Sequence, residues 1–292
     1  MSDPMVHRAR LEAPVADVRR ALTDPVALRV WLAEHAEVEL PHRFEFWGRH
    51  TPDGDAPHQR LLRADDTTLS FTWTLDDTET VVTIELAAEG ADATLLTLSQ
   101  TDLPGFADMV AEVGTLSLMH TFWALAVANL VEYLEGRELT PKCDFTSPVM
   151  REQVVIATSP RELYDSLMDP EVFAKWFGAN IDVEPRVGGR WAMGGFELNH
   201  EPALIVDLEP GNRMAMEWPG GMTTTWEMAE SDGVTRLTFV QSGFDEGKPP
   251  YGGWMGWLSG IAELRRFHEV PGWRASALAV ELEGMPEGLL ST

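Results

Sequence analysis

The chain is poor in residues that staple, anchor or attract. It holds one cysteine in 292 residues. Cys143 therefore cannot close an internal disulfide, and a reducing, cytoplasmic setting is expected. Basic side chains are scarce: 22 Lys and Arg stand against 47 Asp and Glu, for a net charge of −25. A surface this acidic repels phosphate backbones and anionic headgroups, so neither nucleic acid nor a membrane surface is an expected partner. Long hydrophobic runs are missing too. The most apolar stretch, Leu116 to Val131, is interrupted by His120, Thr121 and Asn129. It falls short of the roughly 20 residues a membrane-spanning helix needs and reads as a buried helix. The opening MSDPMVHRARLEAP has no apolar signal core, so no secretory leader is expected.

Catalytic signatures are absent as well. The sequence has no GxSxG, no HExxH, no phosphate-binding loop and no GxGxxG followed by an acidic partner. His42, His50 and His58 recur every eight residues, but in a loop-rich stretch without cysteine or paired-carboxylate spacing. That is not a metal-ligand pattern. His200 sits after Asn199 in a loop and reads as solvated. Glu217 and Glu227 lie between apolar strand residues and are expected to face water. No metal, no cofactor and no catalytic residue is assigned.

What is present is one sequence written twice. Residues 6–32 read VHRARLEAPVADVRRALTDPVALRVWL, and residues 151–177 read REQVVIATSPRELYDSLMDPEVFAKWF. Leu22, Asp24, Pro25 and Trp31 of the first copy become Leu167, Asp169, Pro170 and Trp176 of the second, a constant offset of 145. The offset still holds at Trp73 and Trp218. It slips to 141 where LTLSQ (96–100) meets LTFVQ (237–241), and to 134 where Trp123 and Leu130 meet Trp257 and Leu264. Such slips are changes of loop length. A period this long is too long for a solenoid repeat and matches the usual size of a domain.

Each copy opens with a short strand and a helix. Ser159-Pro160-Arg161-Glu162 is a capping box, with proline at the position where no donor is lost. Asp24-Pro25 and Asp169-Pro170 start a second short helix, ending near Trp31 and Trp176. Alternating segments follow: Phe44 and Phe46; Leu69, Phe71 and Trp73; Val82, Ile84 and Leu86; Trp191 and Met193; Met214, Met216 and Trp218; Trp226 and Met228. Period two with polar neighbours indicates antiparallel strands buried on one face. Each copy closes with a long helix whose apolar residues step by three or four: Leu116, Met119, Trp123, Val127 and Leu130, then Trp254, Trp257, Ile261 and Leu264. The only long amphipathic element able to cover such a sheet is that helix. An α+β fold is expected, a curved antiparallel sheet gripping one helix, made twice. The domains run 1–140 and 149–292, joined by linker 141–148. Residues 273–292 are an extra segment in which Leu278, Val280 and Leu282 alternate as in an edge strand.

The order DPEVFAKWFG (169–178), VGGRW (187–191), LTFVQSGF (237–244) and GWMGWLSGIAEL (253–264) resembles the helix-grip domains of the SRPBCC, or START-like, superfamily. The resemblance is to the AHSA-like branch, named for the activator of a heat-shock protein's ATPase. LTDPVALRVWL (22–32), LTLSQTDLP (96–104) and NLVEYLEG (129–136) carry it in the first half. The first half departs where Pro41-His42-Arg43 stands in place of the Gly-Gly turn, and where His120-Thr-Phe-Trp123 stands in place of Gly-Trp. The superfamily includes lipid carriers, cyclases and co-chaperones, and its members enclose a cavity between sheet and closing helix. The resemblance therefore implies a cavity but not its occupant.

The two copies differ at that helix. Gly252, Gly256 and Gly260 recur every four residues, where the first copy has Leu118, Phe122 and Ala126. Each glycine costs about 1 kcal/mol of helix stability relative to alanine. Two readings stand: an open pocket over the glycine face, or close packing of the helix. With a pocket, Trp191, Met193, Met216, Trp218, Trp226, Gly256, Trp257 and Gly260 would form an aromatic, adaptable wall. The expected function is binding of a small hydrophobic or aromatic ligand, or of a protein partner, by the second domain. A cyclase- or hydrolase-type enzyme using the same cavity and a chaperone-associated stress-response factor are the alternatives.

Overall fold

A computed structural model describes residues 3–112 and 114–291. The first copy runs β1 (Met5–Leu11), α1 (Val15–Thr23), α2 (Pro25–Trp31), β2 (His35–Glu39), β3 (Arg43–Trp47), β4 (Gln59–Ala64), β5 (Thr68–Leu75), β6 (Thr78–Ala88), β7 (Thr94–Gln100), α3 (Phe106–Val110) and, after a short 3-10 turn, α4 (Met119–Leu134). The second runs β8 (Met150–Ile156), α5 (Pro160–Met168), α6 (Pro170–Phe177), β9 (Ile181–Val183), β10 (Arg190–Met193), β11 (Ala203–Glu209), β12 (Arg213–Glu217), β13 (Thr223–Ser231), β14 (Val234–Ser242) and α7 (Tyr251–Glu269). Strand β15 (Ala277–Glu281) ends the order. Both halves follow the expected sequence of strand, helix pair, strands and long helix. None of the described helices is long and apolar enough to cross a membrane.

By contact the chain divides into two compact units. The first takes Met1–Ser147 with Tyr251–Ala262 and Ser276–Met285; the second takes Pro148–Pro250 with Glu263–Ala275 and Pro286–Thr292. Helix α7 is thus shared, its first three turns belonging to the first unit.

In the first unit the sheet order is β15-β1-β7-β6-β5-β4, with β2-β3 a separate hairpin. The alternating tail residues do form an edge strand, antiparallel to β1, and an Arg8–Glu281 ion pair crosses it. Asp24 caps α2 by accepting the Val26 N–H at 2.8 Å. The Trp31 indole donates to the Ala21 carbonyl at 3.0 Å, tying α2 back onto α1. On the sheet's buried face, Trp73 meets Phe122 and Trp123 of α4 edge-on at 5.5 and 5.9 Å. The segment after α4 is held rather than loose. Buried Glu132 accepts the Thr140 N–H at 2.6 Å, and Lys142 Nζ donates to the carbonyls of Arg29, Val30 and Ala33 at the end of α2.

In the second unit the order is β8-β14-β13-β12-β11-β10-β9 in one continuous antiparallel sheet. The capping box forms as the sequence predicts: Ser159 Oγ accepts the Glu162 N–H, and the Glu162 carboxylate accepts the Ser159 N–H. Asp169 caps α6 on two amides, and Gly178 ends it at φ 78°, where a side chain would be strained. Trp176 donates to the Ser166 carbonyl at 2.8 Å, the same tie that Trp31 makes.

Two of the three α7 glycines face the first unit's own residues. A Cβ on Gly252 would stand 2.9 Å from Glu112 Oε1, the carboxylate oxygen that accepts the Gly253 N–H. A Cβ on Gly256 would stand 3.4 Å from the Thr121 methyl. A methyl group there makes ordinary contact, and a larger side chain meets Thr121 first. Gly256→Ala is therefore expected to raise stability by about 0.5–1 kcal/mol through helix propensity, whereas Gly256→Phe is expected to lower it by about 1–3 kcal/mol through overpacking. Denaturant unfolding of the full chain reads both signs. A Phe variant as stable as the parent would show that this face is open.

Candidate functional site

The buried face of the second sheet gathers most of the residues that the sequence singles out. Met214 and Met216 of β12, and Trp218 just after it, alternate onto it. Trp226 arrives from β13 opposite Met214 and Phe239, and Met216 lies opposite Ile205 and Thr224. Trp191 and Met193 come from β10. Trp191, Met216 and Trp226 are fully buried, while Met193 and Trp218 keep part of their surface in solvent. The rings are in contact. Phe173 of α6 meets Trp191 at 5.9 Å, Trp191 meets Trp218 at 5.8 Å, both edge-on, and Trp226 lies 4.4 Å from Phe239. Edge-to-face packing of this kind adds to the stabilisation from area burial. Gly256, Trp257 and Gly260 lie instead on the part of α7 grouped with the first unit. Trp257 and Gly260 are buried there, and Gly256 faces Thr121.

Two polar residues on this face escaped the reading of the sequence. Glu152 sits on β8 between Met150 and Val154, with its side chain on the inward side of the alternation. It pairs across the ladder with Phe239. Among the described residues its carboxylate makes no hydrogen bond or ion pair, and burial pushes its pKa up. Gln241 on β14 is 3% exposed. Its Nε2 donates to Thr224 Oγ1 at 3.3 Å, and Trp218 Nε1 donates to the same oxygen at 2.8 Å. Gln241 Oε1 is buried with no donor among the described residues. A signal existed for both. At the offsets of 145 and 141, Glu152 stands where His7 does and Gln241 where Gln100 does.

The first unit satisfies those two positions internally. Trp123 Nε1 donates to Gln100 Oε1 at 2.7 Å, Gln100 Nε2 donates to Thr80 Oγ1 at 2.9 Å, and Thr80 Oγ1 donates to the Trp73 carbonyl. His7 Nε2 meets His120 Nδ1 at 3.0 Å, so the two rings share one proton. Burial, then the neighbouring His120, holds the His7 pKa well below the ordinary value. Burial alone lowers His120 to about 4.

Two segments, residues 12–135 and 157–266, match the family described as Activator of Hsp90 ATPase homolog 1-like protein. The chain belongs to this family. Among solved structures, CalU16 from Micromonospora echinospora is similar over 46% of this chain and 74% of its own, at 27% identity and a TM-score of 0.35. The Aha1 dimer from Colwellia psychrerythraea is similar over 41% of this chain and 96% of its own, at 17% identity and a TM-score of 0.37. The di-domain ARO/CYC BexL of the BE-7585A biosynthetic pathway matches over 92% of this chain and 100% of its own, at 14% identity and a TM-score of 0.36. No curated protein matches the chain significantly. Family membership sets the tandem helix-grip fold but leaves the ligand open.

A shallow cleft elsewhere in the second unit is lined by Ala157, Thr158, Glu162, Asp165, Ser166, Val172 and His268. It brings Ser166 Oγ within 3.1 Å of His268 Nε2. The same hydroxyl lies 3.1 Å from the Glu162 carbonyl, which competes with His268 for its one hydrogen. Of the loop histidines, His200 is exposed, His50 is held by the Cys143 carbonyl, and His58 pairs with Asp55.

The buried histidine pair has a consequence for stability. A histidine whose folded pKa is depressed favours the folded state fully above the unfolded value near 6.5. That contribution is lost as pH falls through the interval down to about 4, where His120 titrates. His50 and His268, lowered by burial, act with the same sign, and Glu152, raised by burial, acts against it. Glu34, held at about 2 by Arg49, titrates below this interval. Melting temperature is expected to fall from pH 7 to pH 4.5, and His7→Leu combined with His120→Leu is expected to flatten that slope. An unchanged slope in the double variant would show that the pair does not carry it.

Proposed function

We propose that the protein binds a small hydrophobic or aromatic ligand on the buried face of the second sheet. The observation that carries this reading is the run of rings from Phe173 through Trp191 to Trp218, with Trp226 and Met216 on the same face. Aromatic and methionine side chains offer large, adaptable contact area to a planar guest. The first domain serves as frame, since its equivalent positions are filled by Phe122 and Trp123 and its buried glutamine is satisfied.

A second reading follows from one residue. An inward carboxyl with a raised pKa and no partner is the kind of group that moves protons in a cavity enzyme. A cyclase-type activity with Glu152 in that role is the runner-up, and turnover that disappears in Glu152→Gln with binding intact would favour it.

The binding test is titration with a neutral fluorescent probe, N-phenylnaphthylamine, together with native mass spectrometry of freshly purified protein. Probe binding in the micromolar range is expected, along with a loss of about tenfold in Trp218→Ala, because half-buried Trp218 gives up its stacking surface without emptying the core. If Trp218→Ala titrates like the parent protein, the ligand face is elsewhere.

A further inference from the structure

We infer, on the reading of the second sheet as a ligand face, that its ligand is a flat aromatic molecule bearing hydroxyl or N–H groups, whose hydrogens Gln241 Oε1 and the Glu152 carboxyl accept. Gln241 is buried, and one N–H of its amide reaches Thr224 Oγ1 while its carbonyl oxygen receives nothing among the described residues. Trp218 already occupies the threonine oxygen from the other side, so the two bonds on Thr224 fix the glutamine head. A buried acceptor without a donor is unfavourable, and native interiors rarely keep one unless something else supplies the hydrogen.

The first domain shows what supplies it. There the matching oxygen, Gln100 Oε1, takes the N–H of an aromatic ring, the Trp123 indole, at 2.7 Å. The second domain keeps the glutamine, and its amide again ends on a threonine, here Thr224 directly opposite, in the place that Val82 takes in the first. Its oxygen stays open, so an incoming aromatic donor would supply what Trp123 supplies in the first domain.

Glu152 is the second open acceptor. Phe239 pairs with Glu152 and Gln241 with Met150, which puts Glu152 and Gln241 on one face of neighbouring strands. They stand in the diagonal relation whose spacing is roughly 7–8 Å. That is within the span of a two-ring aromatic with a donor at each end. Both groups accept, and burial disfavours the charged form of the carboxylate. An anionic guest would set oxygen against oxygen at Gln241 Oε1, and a guest without donors would leave that oxygen bare. A site built to hydrogen-bond a ligand hydroxyl rejects the analogue lacking it far more strongly than a hydrophobic pocket rejects a change of size.

Calorimetric titration of the full chain with the naphthalenediol carrying hydroxyls at opposite ends, and with its dimethyl ether, separates donors from shape. The diol is expected to bind at least about tenfold tighter than the ether, the factor one good buried hydrogen bond supplies. Gln241→Met is expected to cut diol affinity roughly tenfold and leave ether affinity unchanged, and Glu152→Leu is expected to act in the same direction. A merely structural glutamine would behave otherwise. Gln100→Met breaks a completed network and is expected to lower the melting temperature more than Gln241→Met does. Equal affinity for diol and ether in the parent protein overturns the inference, as does a diol preference that survives both substitutions. In either case the ligand-face reading stands, because the ether still binds. If neither naphthalene nor N-phenylnaphthylamine binds, that reading falls and this inference falls with it.

Discussion

A sheet that is apolar on one side must have that side covered, and every inward position must then be either apolar or paired. This constraint organises both copies. It explains the helix pair that follows the first strand, because Trp31 and Trp176 are pulled under cover and their indole N–H groups need acceptors. Each finds one ten residues back, on Ala21 and Ser166. The bond satisfies a buried donor and fixes the angle between two short helices that would be marginal alone. The N-caps at Asp24 and Asp169 sit between the two helices of each pair and hold the kink where the chain turns back.

The same constraint makes the duplication informative. Two domains with one frame meet the polar requirement differently. In the first, a histidine pair and a Trp123–Gln100–Thr80 chain consume the inward polar groups. In the second, the corresponding strand positions carry half-buried Glu152 and buried Gln241, and the Gln241 oxygen stays open. Leaving a buried acceptor open costs about 1–3 kcal/mol, a large share of the 5–15 kcal/mol by which domains are stable. Local disagreement with the rules of a well-packed core is where functional sites are found.

Much of the frame was legible in the sequence because it is set by short-range chemistry. The Ser159–Glu162 box, the Asp-Pro helix starts and the period-two strands depend on residues within a few positions of one another. The edge strand at 277–281 was legible as an alternation, but its pairing with β1 was not, since nothing local links Val280 to His7. Lys142 reads as an ordinary linker lysine until α2 presents three carbonyls to it. The glycines of α7 signal either space or close approach. Only tertiary placement reveals Glu112 and Thr121 opposite Gly252 and Gly256. Glu152 is not legible from an alternation of apolar residues, because a charged residue in an inward register breaks that pattern instead of extending it.

Net charge and site chemistry both disfavour anions. A chain at −25 favours cationic or neutral small molecules over anions, although solvent ions confine that bias to roughly 8–10 Å from the surface. Inside, where screening is weak, discrimination passes to the two open acceptors. A carboxyl whose burial favours its neutral form can both accept and donate, so it suits a hydroxyl better than an ammonium group, which would require the ionised form. Gln241 presents its open carbonyl oxygen, its head held by the bond from one amide N–H to Thr224. On the proposed reading the pair would rank guests by donors first and by shape second. The aromatic wall of Trp191, Trp218 and Trp226 would then select, among donor-bearing molecules, those flat enough to lie against it.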